Sequence, residues 1–131
     1  PRGRNTGRSP EDRAAIMARW RDDVAELAAQ QNVVAKHSGL GMPLLGHAPH
    51  APVSLASRAE LAELAAPLIT HTQDVFGAAR TMWASNFPID KPGQDLPVSV
   101  EMLRDVLGSG MDEDALFRRN AERVYRLGDR N

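Results

Sequence analysis

Apolar positions recur along this chain in a changing rhythm. Early on, Ile16, Trp20, Val24 and Leu27 follow one another at spacings of four, four and three. Asp12, Arg19, Asp22, Asp23 and Glu26 fall largely off that line. That is the single stripe of an amphipathic helix. Ser9-Pro10-Glu11-Asp12 gives it a start: a capping hydroxyl, a proline suited to the first helical position, and two carboxylates in the first turn. The helix is expected to end near Gln30 or Gln31. Residues 1–8 ahead of it are basic, contain glycine, lack periodicity and read as loop.

The rhythm changes at Asn32-Val33-Val34-Ala35-Lys36-His37-Ser38-Gly39. Two β-branched residues and a short apolar run closed by glycine predict a strand. Residues 40–52 carry Gly41, Pro43, Gly46, Pro49 and Pro52 and read as a long irregular loop, a type that is more often functional than not inside a compact domain. Ser57-Arg58-Ala59-Glu60 matches a capping box. It opens a helix bearing Leu61, Leu64 and Ala65. Pro67 is expected to interrupt that helix and start a second segment, with Leu68, Ile69, Thr72, Val75 and Phe76 inward. Gly77 stops it as a C-cap.

Met82, Trp83 and Ala84 then read as a short buried strand. Ser85, Asn86 and Asp90 place hydrogen-bonding groups at its carboxyl end, where ligands sit in parallel α/β folds. The run Lys91-Pro92-Gly93-Gln94-Asp95 is expected to be turn-forming and exposed. Val100, Leu103, Val106 and Leu107 mark another helix, ended by Gly108-Ser109-Gly110. Asp112 is expected to cap a last helix lined by Leu116, Phe117, Ala121, Val124 and Leu127.

Two strands separated by a helical crossover should be parallel neighbours. Two such strands leave both sheet edges open, and an independent sheet normally needs three or more. The pattern therefore predicts that residues 1–131 are the C-terminal portion of one larger α/β domain.

Composition narrows the function. The 131 residues carry 16 Lys and Arg against 17 Asp and Glu. That balance suggests neither a nucleic-acid footprint nor attraction to an anionic membrane. The absence of cysteine excludes a disulfide framework and a thiolate metal site. It fits a reducing, cytoplasmic setting. No apolar run approaches the roughly 20 residues needed to span a bilayer.

Several side chains are candidates for chemistry, each with a plain structural alternative. Asn86 either orients substrate or water, or stabilises the Asn-Phe-Pro bend. Asp90 is either a working carboxylate or a solvated loop residue paired with Lys91. His37 shares a strand face with Val33 and Ala35. It either meets substrate and moves protons, or is a packed, hydrogen-bonded histidine. His47 and His50 lie three apart, but Pro49 stands between them and a third ligand is lacking nearby, which argues against a metal pair. His71, Trp20 and Trp83 read as structural. Arg118, Arg119, Arg123 and Arg126 read as a solvated basic face.

Three stretches, in this order, resemble the amidohydrolase superfamily, in particular its amidohydrolase-related branch of hydrolases, decarboxylases and lactonases. They are Trp20-Arg21 leading into Asn32 to Met42, then Phe76 to Asp90, then Asn120 to Leu127. The resemblance implies a (β/α)8 TIM-type barrel, with residues 33–38 as strand seven and 82–85 as strand eight. It implies a hydrolase acting on a small organic acid, lactone or cyclic ester. Asn86 and Asp90 would be catalytic, and His37 and Ser85 would contact the small-molecule substrate. Any divalent metal (Zn or Mn) would be held mainly by residues outside this chain. One departure stands out. The family usually has an Asp just after strand eight, in a Ser-Asp-Phe-Pro-like motif, and here that residue is Asn86. The alternative to an enzyme is a non-catalytic helical interaction or structural module.

Overall fold

A computed structural model describes residues 9–40, 57–91 and 94–129 of the chain. Helix α1 runs Pro10–Ala28. Its start is a reciprocal capping box: the Asp12 N–H donates to Ser9 Oγ at 3.1 Å and the Ser9 N–H to Asp12 Oδ2 at 3.2 Å. Its end comes slightly before the expected Gln30. Arg80 takes the carbonyl of Ala28 at 2.9 Å and that of Gln30 at 3.0 Å, a cation at a helix C-terminus.

Strand β1 is Ala35–His37 and strand β2 is Thr81–Trp83. They pair in parallel, with Ala35 opposite Thr81 and His37 opposite Trp83. Both are shorter than the spans 33–38 and 82–85. One reason is again Arg80, whose guanidinium occupies the Val33 carbonyl at 3.4 Å. At the far end the last ladder bond is Ala84 N–H to His37 O at 3.2 Å, after which the chain turns away.

Helix α2 crosses between the strands as one uninterrupted element, Arg58–Phe76. Its start is the expected capping box, with Ser57 N–H donating to Glu60 Oε2 at 2.8 Å and Glu60 N–H to Ser57 Oγ at 3.3 Å. The expected break at Pro67 does not occur. Pro67 lies on the exposed side, where its missing N–H leaves a carbonyl that water can serve. Leu61, Ala65, Ile69 and Phe76 are buried on both sides of the proline, and that burial keeps the two halves in one helix. Gly77 ends it at φ 75, as expected.

Helix α3, Leu96–Leu107, packs along α2 and buries Met102 and Leu103 against Leu61, Ala65 and Ile69. Leu116 closes this core. On the surface Arg58 bridges the same two helices, donating to Asp105 Oδ1 at 2.6 Å. After α3, Asp112 caps the next turn by accepting from the Ala115 N–H at 3.0 Å. The expected single helix is instead a wide π turn, Ala115–Arg119, followed by helix α4, Asn120–Tyr125. Asn120 is buried and donates to the carbonyls of Ala78 and Thr81, both at 2.7 Å, which ties α4 to the start of β2. The terminal arginines are less free than a solvated face. Arg118 pairs with Asp114 and Glu122, Arg119 with Asp112 and Asp114, and Arg123 donates to the Ala79 carbonyl. Among the described residues no helix is long and apolar enough to cross a membrane.

Candidate functional site at the carboxyl ends of the strands

The chain leaves β2 through Ala84 and Ser85 and bends sharply at Asn86. Asn86 has φ 54, a left-handed conformation that asparagine tolerates better than most residues. The Phe87–Pro88 peptide is cis. Two successive turns follow: Asp90 N–H donates to Asn86 O at 3.1 Å and Gln94 N–H to Asp90 O at 3.0 Å. A spacing of four thus brings residues 86, 90 and 94 to one side.

Their side chains meet there. Asn86 Nδ2 donates to Asp90 Oδ1 at 2.8 Å, and Gln94 Nε2 donates to Asp90 Oδ2 at 2.9 Å. Asp90 is 1% exposed and Gln94 2%. The reading of Asp90 as a solvated loop carboxylate is therefore incorrect, and so is the expectation that Gln94 lies on an exposed turn. Burial of a carboxylate is tolerable here because each oxygen accepts an N–H. Ser85 plays a local part: its Oγ accepts from the Phe87 N–H at 3.3 Å.

His37 ends β1 on the buried face and is 4% exposed, whereas Lys36 beside it is exposed. Its Nε2 lies 3.3 Å from Gln73 Oε1, and the Thr81 hydroxyl lies 2.8 Å from the same oxygen. Burial pushes the His37 pKa below the ordinary histidine value, and the Gln73 hydrogen bond opposes that shift. The ring borders a narrow crevice between the strand ends and α3, shared with Ser38, Trp83, Asp90, Gln94 and Ser99. It also borders a wider, mainly apolar groove on the α1 side, lined by Ile16, Trp20, Leu68 and Thr72. The structure thus joins Asn86 to Asp90 directly and sets His37 on the same crevice as Asp90.

The remaining candidates divide. His71 is structural: its Nε2 lies 2.9 Å from the Arg21 carbonyl, and its ring sits 5.5 Å from that of Trp20. Trp83 packs edge-on against Phe117 at 6.0 Å. His47 and His50 lie outside the described residues. Among the described residues no group of three or more His, Cys, Asp or Glu side chains is placed to hold a metal ion. Asn86 and Asp90 do not fit a dedicated divalent site either. One is a neutral amide, and the other has both oxygens engaged by amide N–H groups.

A family model described as Amidohydrolase matches residues 7–127, which include both strands and the Asn86 turn. The chain belongs to the amidohydrolase family. A curated relative, uncharacterized protein y4mH of Sinorhizobium fredii (strain NBRC 101917 / NGR234), is 31% identical over 110 residues, covering 82% of this chain and 33% of that protein. The chain therefore spans about a third of that relative's length. No solved structure matches it. Within this amidohydrolase chain, sequence reasoning missed Gln94, Gln73, Arg80 and Asn120. For Gln94 the signal was present, as the four-residue spacing from Asn86 through Asp90. For the others the partners are backbone carbonyls or distant side chains, which no local pattern marks.

Proposed function

We propose that the whole protein is a hydrolase of the amidohydrolase-related type, acting on a small organic acid, lactone or cyclic ester. In this reading the chain is the C-terminal portion of a (β/α)8 barrel, with β1 and β2 as strands seven and eight. The observation that carries the reading is the polar turn at the carboxyl ends of two parallel strands, where Asn86 is fixed by a buried Asp90. Catalytic groups of barrel enzymes lie at that end.

The geometry supports a distinct role for each residue in this reading. Asp90 holds one Asn86 N–H; in this reading the Asn86 amide oxygen, turned away from the carboxylate, meets substrate or water. An amide cannot take up a proton, so Asn86 orients rather than acts as a base. His37, whose pKa burial lowers from the ordinary histidine value, is the candidate for proton transfer. A Zn or Mn ion, where the whole protein uses one, would be held chiefly by groups outside this chain.

The test is an assay of the whole protein against a panel of lactones and cyclic esters, with Asn86→Ala and Asn86→Asp. Loss of one preorganised hydrogen-bonding group should lower kcat/KM about 100-fold or more. Asn86→Asp should either raise the bound-metal content or abolish activity. If it does neither, the site lies elsewhere.

A further inference from the structure

Gln94, which lines the crevice beside Asp90, carries an acceptor that the hydrolase reading leaves unused. Gln94 is 2% exposed, and its Oε1 is buried without a hydrogen-bond partner among the described residues. Native proteins rarely leave such an atom unpaired, and where they do, strain, a functional contact or a bound water accounts for it. Turning the amide over would not help. It would place Oε1 against Asp90 Oδ2, at the 2.9 Å now occupied by an N–H donor, and two acceptors repel. Asp90 thus acts as a positioning residue that fixes Gln94 with its oxygen facing away.

The crevice that Gln94 lines has room for about one water. Its other polar walls are Ser99, Ser38 and His37. The Ser99 hydroxyl donates to the Leu96 carbonyl at 3.0 Å, so its lone pairs remain to accept. The pocket is rich in neutral acceptors and has no free anionic oxygen at Asp90. That chemistry suits an uncharged O–H donor and not a divalent cation.

We propose that this crevice binds a single water molecule, held by a hydrogen bond to Gln94 Oε1 and oriented through Asp90. For the hydrolase proposed above, the site supplies a localised water at the strand ends through neutral protein groups. That consequence rests on the hydrolase reading; the water site itself does not.

A crystal structure of the whole protein at a resolution that shows ordered solvent is the direct test. The expected result is a water within hydrogen-bond distance of Gln94 Oε1 and of a second crevice group. An empty crevice, or a Gln94 whose Oε1 is bonded to another protein group, overturns the proposal. Nuclear magnetic resonance provides a second route in solution. The Gln94 side-chain amide signals, identified by their disappearance in Gln94→Met, should show cross-relaxation with a long-lived water, and its absence also overturns the site. The two readings fail separately. A filled crevice in a protein that hydrolyses no ester sinks only the hydrolase, and a dry crevice in an active enzyme sinks only the water.

Discussion

Helix α1 and the α2–α3 pair all carry apolar stripes, yet only one pair of faces is closed. On α2 and α3, Leu61, Ile69 and Leu103 have no exposed surface at all. On α1, Ile16 is 45% exposed and Leu27 54%, and Ala28 is the helix's one buried residue. Both α1 and α2 begin with complete capping boxes, so local helix signals do not separate them. The difference is the partner. An apolar stripe states that a helix wants a neighbour, and the rest of the fold decides whether this segment provides one. The groove of Ile16, Trp20, Leu68 and Thr72 beside β1 is where that provision stops.

The largest expected effect breaks the closed side. Leu103→Ala removes a fully buried side chain from the α2–α3 core and should destabilise the protein by about 2–5 kcal/mol, measured by urea unfolding. Ile16→Ala is its counterpart. If the stripe stays as open as it is here, the change should stay within about 0.5 kcal/mol. The barrel reading expects more in the whole protein, because another segment would then cover the groove. Equal, small effects at both positions would dissolve the contrast.

Next comes the polar tie between α4 and β2. Asn120→Ala strips the Ala78 and Thr81 carbonyls of their donor in a buried setting. The expected loss is about 1–3 kcal/mol, again by urea unfolding. Asn120→Asp should be no better than Ala, since a carboxylate offers carbonyls no proton. A full rescue by Asp would show that these bonds do not hold the element.

These two substitutions also mark what the sequence could and could not convey. The apolar spacings announced α1, α2, α3 and the parallel strands, because periodicity is a local property. The caps at Ser9 and Ser57 were legible for the same reason. Pro67 misled, since its effect depends on which side of the helix it occupies and on what is packed behind it. Gln94 was mistaken for an exposed turn residue because Pro, Gly and Asp surround it. Its burial goes with its bond to Asp90, and the four-residue spacing from Asn86 through Asp90 to Gln94 carries that signal beneath a turn-forming composition. The family match covers the strand ends and the Asn86 turn, while among the described residues the α1 stripe stays largely exposed.

A smaller effect sharpens the comparison between the two caps. Ser9→Ala and Ser57→Ala remove the same kind of bond, worth about 0.5–2 kcal/mol. The cap on α2 sits on an element that carries the core, so its loss should appear in global unfolding. The cap on α1 guards a helix with little buried surface. Its loss should appear as faster amide exchange in the first turn of α1, with little change in the global midpoint. Equal shifts of the midpoint would mean that α1 is coupled to the core as tightly as α2.

The smallest effect is confined to acid and concerns His37, which sits between the two regions. Its folded pKa lies below the ordinary 6.5, first because of burial. Below pH 6.5 the unfolded chain takes up a proton that the folded protein refuses, so unfolding gains and stability falls. The contribution is fully present above that pH and stops changing once the pH is below the folded pKa. Unfolding of the wild type at pH 7 and pH 5 should therefore differ by more than that of His37→Asn, which retains a polar group near Gln73 but does not titrate. The carboxylates drift alike in both proteins, so the difference of differences isolates the histidine. A His37→Asn protein with the same acid sensitivity as the wild type would mean that the imidazole accepts its proton in place, as a solvent-connected base would.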